Sequence, residues 1–452
     1  MAGDPLRRFL LVTLGLLAFA LALALPAVVR SPQLSPVDEV AHADYAYQIA
    51  HGSIPAKGSL VAPEIRYEWS CRGVGDTPEP NCDSVGGDFG AGAQDYNFGD
   101  PPVYYLITGV LARGLDLVVP GGHHFISLGR CVGALWLFAG MLVLYLALRR
   151  LRVAWPIAAA AAGLLPLCPG VLAAASTMTS DAPAVLAGAA ALYMLARITV
   201  QHRMGWVLPA VVTVLATGTK VLNGMPMLAV ACVAAALANT AWRRGDRSDA
   251  RRAALVCLAI PASFAAVFLG WGAYQSGRGQ ADWVNPNLGD GLPLHGSALG
   301  DLLSNLFGTF QNLTTNYWLA PQINGETVTI WATLLGVLLG AAPLLVMLIS
   351  RTRSWGWGLG LAAFLGLSAV SLAVEFEVYT ENDQYFALVS ARYALSFLPW
   401  VIACLAVVAG RRRLHKTSVA FVGIGTAVML LAEMGLFTLG PALVGRSAFL
   451  IG

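Results

Sequence analysis

The sequence predicts an all-α, polytopic membrane protein with about eleven transmembrane helices and further helices lying along one membrane face. Three observations carry this. Of its 452 residues 57% are hydrophobic and only 12% charged, where a soluble domain carries about 25% charged residues. The apolar residues fall into runs of about 20, the length that crosses a bilayer as a helix. The basic residues cluster in the short segments between those runs. A chain this long and this poor in charge cannot hide its apolar surface in one water-soluble core. That excludes an ordinary soluble enzyme, a disordered chain and a secreted disulfide scaffold. The mean hydropathy of +0.66 agrees.

The expected spans are residues 9–29, 126–148, 154–175, 183–198, 205–219, 221–241, 253–275, 327–350, 354–374, 394–410 and 417–440. The first is too long for a signal-peptide core, and Leu25 to Arg30 makes a poor cleavage site. Residues 101–120 are apolar enough to suggest a twelfth span, but they carry Arg113 and Asp116. Parity decides against it. Lys and Arg in short loops mark the cytoplasmic side, and Arg7 and Arg8 then place the N-terminus there. With 101–120 kept outside, the clusters at 149–152, 197–203, 243–252, 351–353 and 411–416 join them, 18 of the 28 basic residues. Of the 25 acids, only Asp4, Asp246 and Asp249 then lie inside, and Glu433 falls within the last span. The expected organisation is a cytoplasmic N-terminus and first span (1–29), a first outer loop with juxtamembrane helices (30–125) and a core of six spans (126–275). A second long outer loop (276–326) and C-terminal spans (327–452) ending outside complete it. Long ordered loops are usually functional, so chemistry is expected on the outer face.

The first outer loop opens with Pro36, suited to start a helix, followed by Asp38 and Glu39. Asp38, His42, Tyr45 and Ile49 share one helical face by spacing. The carboxylate pair suits general-base work on a hydroxyl or oxygen ligation of a divalent ion; alternatively it complements the helix dipole. Tyr104 and Tyr105, after Asp100-Pro101-Pro102, are either interfacial anchors or substrate-positioning groups. Asp181 is either a helix cap or a functional acid. Lys220, between two apolar runs, either snorkels or meets an anion such as a lipid-linked phosphate. Arg392, followed by Tyr393, either contacts phosphate or pairs with Glu375, Glu377, Glu381 or Asp383, and Arg130 has the same two readings.

Cys71 and Cys82 lie in the loop expected outside, where a disulfide is chemically allowed, and one is predicted between them. Cys131, Cys168, Cys232, Cys257 and Cys404 lie in apolar runs and read as small core residues. His51, His123 and His124 show no zinc-ligand spacing and read as solvated. Asn312-Leu313-Thr314 fits a glycan-acceptor pattern common by chance. There is no phosphate-cradling glycine loop, and no basic, aromatic-interleaved patch suggests nucleic acid.

Five groups of residues are arranged in order against the span count. They are Pro36 to His42 with Tyr45 to Gly52 beyond, Asp100 to Tyr105, Thr179-Ser180-Asp181, Thr219-Lys220, and Ala391-Arg392-Tyr393 with Pro399. In this the chain resembles the GT-C superfamily of polyprenyl-phosphate-sugar-dependent glycosyltransferases. More closely, it looks like the bacterial membrane family catalogued as domain of unknown function 2142. The resemblance implies a GT-C-like fold in the cytoplasmic membrane and a sugar donor on a polyprenyl phosphate. It implies inverting transfer to a glycan, lipid or protein acceptor of the cell envelope. It makes Asp38 the base, with Glu39 second, or makes the pair ligands of Mg or Mn. Lys220 and Arg392 would meet the donor phosphate, Asp181 would sit at the cavity rim, and His42, Tyr104, Tyr105 and Tyr393 would contact substrate. A transporter or flippase of a lipid-linked glycan is the alternative, with a non-catalytic envelope-assembly protein a third. Transporters bury ionisable groups near the midplane, whereas here they gather at the expected outer rim.

Overall fold

A computed structural model describes residues 5–74, 82, 90–119, 124–283, 292–294, 298–311, 326–351, 354–386, 389–412 and 414–433. The Asn312 acceptor pattern, His123, and the expected outer C-terminus beyond Glu433 lie outside the described residues.

The described residues are almost entirely helical. Among the described residues, seven helices are long and apolar enough to cross a membrane: Leu6–Val29, Phe125–Arg150, Val221–Arg243, Arg247–Ser276, Ile330–Ile349, Trp355–Thr380 and Ala391–Arg411. They belong to α1 (Pro5–Val29), α5 (Phe125–Arg150), α10 (Met225–Arg243), α11 (Arg247–Ser276), α14 (Glu326–Ile349), α15 (Trp355–Asn382) and α16 (Leu398–Arg411). The other apolar runs are helical too, as α8 (Ala184–Thr199), α9 (Val207–Thr219) and α17 (His415–Glu433). This is a multi-pass, all-α membrane protein.

One expected span differs. Residues 154–175 form two short helices, α6 (Trp155–Gly163) and α7 (Pro169–Ser176), instead of one rod. Pro166 and Pro169 explain the break, since proline removes a helical N–H and clashes with the preceding turn. Trp331 Nε1 donates to the carbonyl of Leu167 at 2.8 Å, satisfying one backbone acceptor that the break exposes.

The apolar core runs through the inner faces of α1, α5, α6, α7, α8, α10, α14, α15 and α16, from Leu23 through Leu137 and Leu192 to Trp400. The outward faces stay apolar and exposed, as at Leu10, Leu14, Leu258 and Leu348; water would penalise such surface and lipid does not.

A second, smaller cluster caps this bundle. It joins α2 (Glu39–Ala50), α3 (Pro63–Arg72) and α4 (Val103–Asp116) to the start of α5 through Tyr45, Ala46, Ile65, Tyr104, Tyr105 and Ile126. Helix α4 is the segment that suggested a twelfth span. Its 14 residues reach about 21 Å, short of the roughly 30 Å hydrocarbon core. It buries Tyr104, Tyr105, Thr108, Gly109 and Ala112 and exposes Leu106, Ile107, Val110, Leu111 and Leu115, the pattern of a helix lying on a membrane surface. Gly109 lets α4 close on α2, because a Cβ there would collide with the carbonyl of Ala46. Gly188 on α8 does the same for the 3-10 turn Ala391–Phe397, whose Ser396 carbonyl occupies the space a Cβ would need. These two approaches bring Asp38, before α2, and Arg392, in that turn, to one place.

Residues Leu292–Pro293 and Gln384–Tyr385 pair as short antiparallel strands linking the second long loop to the end of α15.

Candidate active site

Asp38 and Glu39 are neighbours in sequence with opposite destinations. Asp38 occupies the left-handed region (φ 59°, ψ 2°) at the N-cap of α2, a conformation Asp tolerates better than most residues. That twist directs its carboxylate away from the helix. Oδ2 accepts from both Nη1 and Nη2 of Arg392, each at 3.1 Å, and Oδ1 accepts from the Tyr96 hydroxyl at 3.1 Å.

Glu39 instead turns inward to Arg130. Its Oε1 accepts from Arg130 Nε at 2.7 Å and the Met178 N–H at 2.9 Å; Oε2 accepts from Arg130 Nη2 at 2.7 Å and the Ser35 N–H at 2.6 Å. Both side chains of the pair are fully buried, and Arg130 also donates to the carbonyls of Ser31 and Gln33. This corrects the expectation for Glu39 and selects the acid-pairing reading of Arg130. Glu39 has no oxygen left for a base or a metal, and Arg130 has none of its charge turned toward a substrate. Together they fasten the start of α2 to α5 and to the turn at Met178.

The two remaining cations meet across one ring. Lys220 lies between α9 and the 3-10 turn Val221–Gly224. Its Nζ is 2.6 Å from Asp181 Oδ1 and 5.3 Å from the centre of the Tyr393 ring. The Arg392 guanidinium lies 4.9 Å from the same centre, and its Nη2 donates to the Tyr393 hydroxyl at 3.2 Å. Arg392 is thus paired with Asp38, while Glu375 accepts from Asn305 and from the Phe386 N–H. The Asp38, Arg392 and Lys220 side chains are 25%, 15% and 14% exposed, against 2% for Asp181. They form one partly exposed polar cluster, the crevice, with Asp181 at its buried end. Asp181 Oδ2 is buried and receives no hydrogen bond among the described residues.

Behind Asp38 stands a chain of three groups. His42 Nδ1 is 2.8 Å from the Tyr105 hydroxyl, which donates to Asp100 Oδ2 at 2.7 Å. Ser180 donates to the same oxygen at 3.0 Å, and the Asn97 amide nitrogen is 3.0 Å from His42 Nδ1. Tyr45 fixes the Tyr105 ring by stacking on it, centres 3.8 Å apart. Tyr104 packs edge-on to Tyr105 and toward Trp136, fully buried inside the cap. Sequence reasoning did not assign site roles to Tyr96, Asn97, Asp100 or Ser180. The one signal for them was position, directly before the Pro101-Pro102 start of α4 and directly before Asp181.

Burial raises the Asp38 carboxyl, but Arg392 and then His42 outweigh it, so its pKa falls below the ordinary aspartate value. Asp181 behaves likewise through Lys220 and then Arg392. Burial opposes the charge on Lys220; Asp181 and Asp100 more than restore it, and its pKa rises. Burial lowers His42 below its usual value, against the pull of Asp100 and Asp38. Near neutral pH the crevice thus holds two carboxylates, two cations and an uncharged imidazole.

The divalent-ion reading of Asp38 and Glu39 does not fit this donor set. Their carboxylates face different arginines, and among the described residues no three His, Cys, Asp or Glu side chains are grouped to hold a metal. Cys71 and Cys82 are joined by a disulfide, as expected, next to the buried pair Glu68 and Arg72. His51 is exposed, as expected, but His124, expected to be solvated, is 3% exposed where it precedes α5.

No family model and no curated protein matches the chain. Among solved structures it is similar to ArnT from Cupriavidus metallidurans, crystallised with undecaprenyl phosphate. The two share 17% identity over 98% of this chain and 67% of that one, with a TM-score of 0.43.

Proposed function

We propose that the protein is a membrane glycosyltransferase of GT-C type. It would transfer a sugar from a polyprenyl phosphate to a hydroxyl of a cell-envelope acceptor, with inversion, on the outer face of the cytoplasmic membrane. One observation carries this reading: Asp38, Arg392, Tyr393, Lys220 and Asp181, from four separate stretches of chain, share one partly open crevice beside a surface-lying helix. The sequence resemblance to the GT-C superfamily supports it independently.

The chemistry follows from the groups. The Asp38 carboxylate takes the proton of the acceptor hydroxyl as its oxygen attacks the anomeric carbon. The bond from that carbon to the phosphate oxygen breaks, and the lipid phosphate leaves with the electron pair. Arg392 and Lys220 stabilise the charge that develops on it. Arg392 suits this work because its planar fork matches two phosphate oxygens. The energy resides in the activated phosphate ester, so a nucleotide site is not needed. The exposed apolar face of α4 supports a place for the crevice at the membrane surface.

The test is sugar transfer in membranes supplied with polyprenyl-phosphate sugars. Asp38→Asn is expected to abolish transfer at unchanged expression. Full activity in that variant removes Asp38 as the base.

A further inference from the structure

Asp44 on α2 and Asp95 in the loop before α4 are both 0% exposed, and their carboxyl groups lie within hydrogen-bonding reach of each other. Two ionised carboxylates so placed repel and cannot share a hydrogen bond; one proton between them allows it. The surrounding donors say which. Asp44 Oδ1 accepts the Ala62 N–H at 2.7 Å, and Oδ2 accepts from the Gln48 amide at 2.6 Å. Both of its oxygens are therefore committed as acceptors. Asp95 Oδ1 accepts the Asn97 N–H at 2.8 Å. Asp95 Oδ2 is buried and meets no N–H or O–H donor among the described residues.

We propose that Asp95 is held protonated on Oδ2 and donates that proton to Asp44, and that this one shared proton positions the loop of residues 93–100 over the crevice. Asp95 and Asp44 are positioning residues. They touch none of the reacting groups, but the loop they pin carries Tyr96, which donates to Asp38, Asn97, which contacts His42, and Asp100, which anchors Tyr105. The loop is otherwise fastened to the segment before α3 by Val61 N–H to Ala93 and Asp95 N–H to Ser59, each at 2.8 Å.

The charged groups around the pair agree. Asp44 is faced by Arg66 from α3, which favours its ionised form; Asp95 is faced by Asp44 and Asp100, which disfavour its own. Burial, the largest effect on both, raises Asp44 to about 6 and Asp95 well above the ordinary range. A carboxyl whose folded pKa is raised gives stability that is fully present below the unfolded value. That stability is lost as pH rises through the folded one. The latch is therefore expected to open on the alkaline side.

Two substitutions of equal size separate this from plain packing. Asp95→Asn keeps Oδ1 for the Asn97 N–H and supplies a permanent donor toward Asp44. Asp44→Asn points an NH2 at a group that already donates. Thermal unfolding of the purified full chain in detergent, from about pH 5 to about pH 9, reads the difference. Asp95→Asn should match wild type at neutral pH and exceed it by a margin that widens as pH rises. Asp44→Asn should unfold at least about 2 °C lower throughout. Difference infrared spectroscopy should show a protonated-carboxyl band in wild type that Asp95→Asn removes. Equal losses in the two variants, or a band that survives Asp95→Asn, would overturn the assignment.

The kinetic consequence rests on the proposed transfer reaction: Asp95→Asn should keep the wild-type rate without the alkaline fall. An alkaline fall that persists in Asp95→Asn overturns the positioning role. A wild type without any transfer activity refutes the glycosyltransferase reading instead, and the proton's location is still decided by unfolding and infrared.

Discussion

Asp38 and Arg392 stand 354 positions apart in the chain and meet through two hydrogen bonds of 3.1 Å to one carboxylate oxygen. Lys220 and Asp181 form a second acid–cation pair beside the same Tyr393 ring. Each cation is thus neutralised by an acid of the protein itself. In the proposed reaction the donor phosphate competes with those acids, and taking Arg392 from Asp38 frees the carboxylate to act as the base.

This exchange predicts opposite effects of one substitution on binding and turnover. Asp38→Asn removes the base and should lower the transfer rate by about 10²- to 10⁴-fold. It also removes the competitor for Arg392, so affinity for a polyprenyl phosphate should hold or increase. Titration of the purified variant with that lipid, beside single-turnover transfer, checks both. A loss of lipid affinity equal to the loss of rate would place Asp38 in donor binding.

Lys220→Ala should weaken the donor more than the acceptor and also destabilise the fold. It leaves Asp181 buried without its direct ion-pair partner, and breaking a buried pair costs about 3–5 kcal/mol. Lys220→Ala with Asp181→Asn separates the two effects, because it removes the orphaned charge without restoring the cation. Stability should largely return in the double variant while donor affinity stays low, as read by chemical denaturation and lipid titration.

Glu39→Gln should behave as a structural lesion. It leaves Arg130 unneutralised and sets an NH2 against the N–H of Ser35 or Met178, at a cost of about 3–5 kcal/mol. Lipid affinity and turnover per folded molecule should change little. A selective loss of turnover in a fully stable Glu39→Gln protein would return Glu39 to the chemistry.

The pH response separates the acids from His42. Asp38 and Asp181 have lowered folded values, so their stabilisation is complete above the ordinary aspartate value and is lost only as pH falls through the folded one. They contribute no change across the neutral range. His42 is also lowered; its stabilisation is complete above about 6.5 and declines as pH falls below that toward its folded value. The melting temperature of His42→Gln should lose this decline between about pH 6.5 and 5.

Much of the architecture was legible because lipid imposes length and hydropathy on every span. Lys220, Asp181 and Arg392 could be singled out for a related reason: a charge at the end of an apolar run needs a partner; Asp38 stood out as one of a carboxylate pair at a helix start. Which partner was not legible. Nothing local distinguishes Asp38 from Glu39; the difference is a left-handed backbone at Asp38 and the distant Arg130, both products of tertiary packing. Asp44 and Asp95 carry no signal in the sequence; only the fold buries them near each other. The break between α6 and α7 had its signal in Pro166 and Pro169, which hydropathy alone overlooks.

The central claim is that the crevice between Asp38, Arg392 and Lys220 receives a lipid phosphate. Its most direct measurement is binding of a polyprenyl monophosphate and of the uncharged polyprenol to the purified protein, in wild type and in Arg392→Ala with Lys220→Ala. The account predicts a clear preference of wild type for the phosphate and loss of that preference in the double variant. Equal binding of the two lipids by wild type, or a preference the double variant retains, would contradict it.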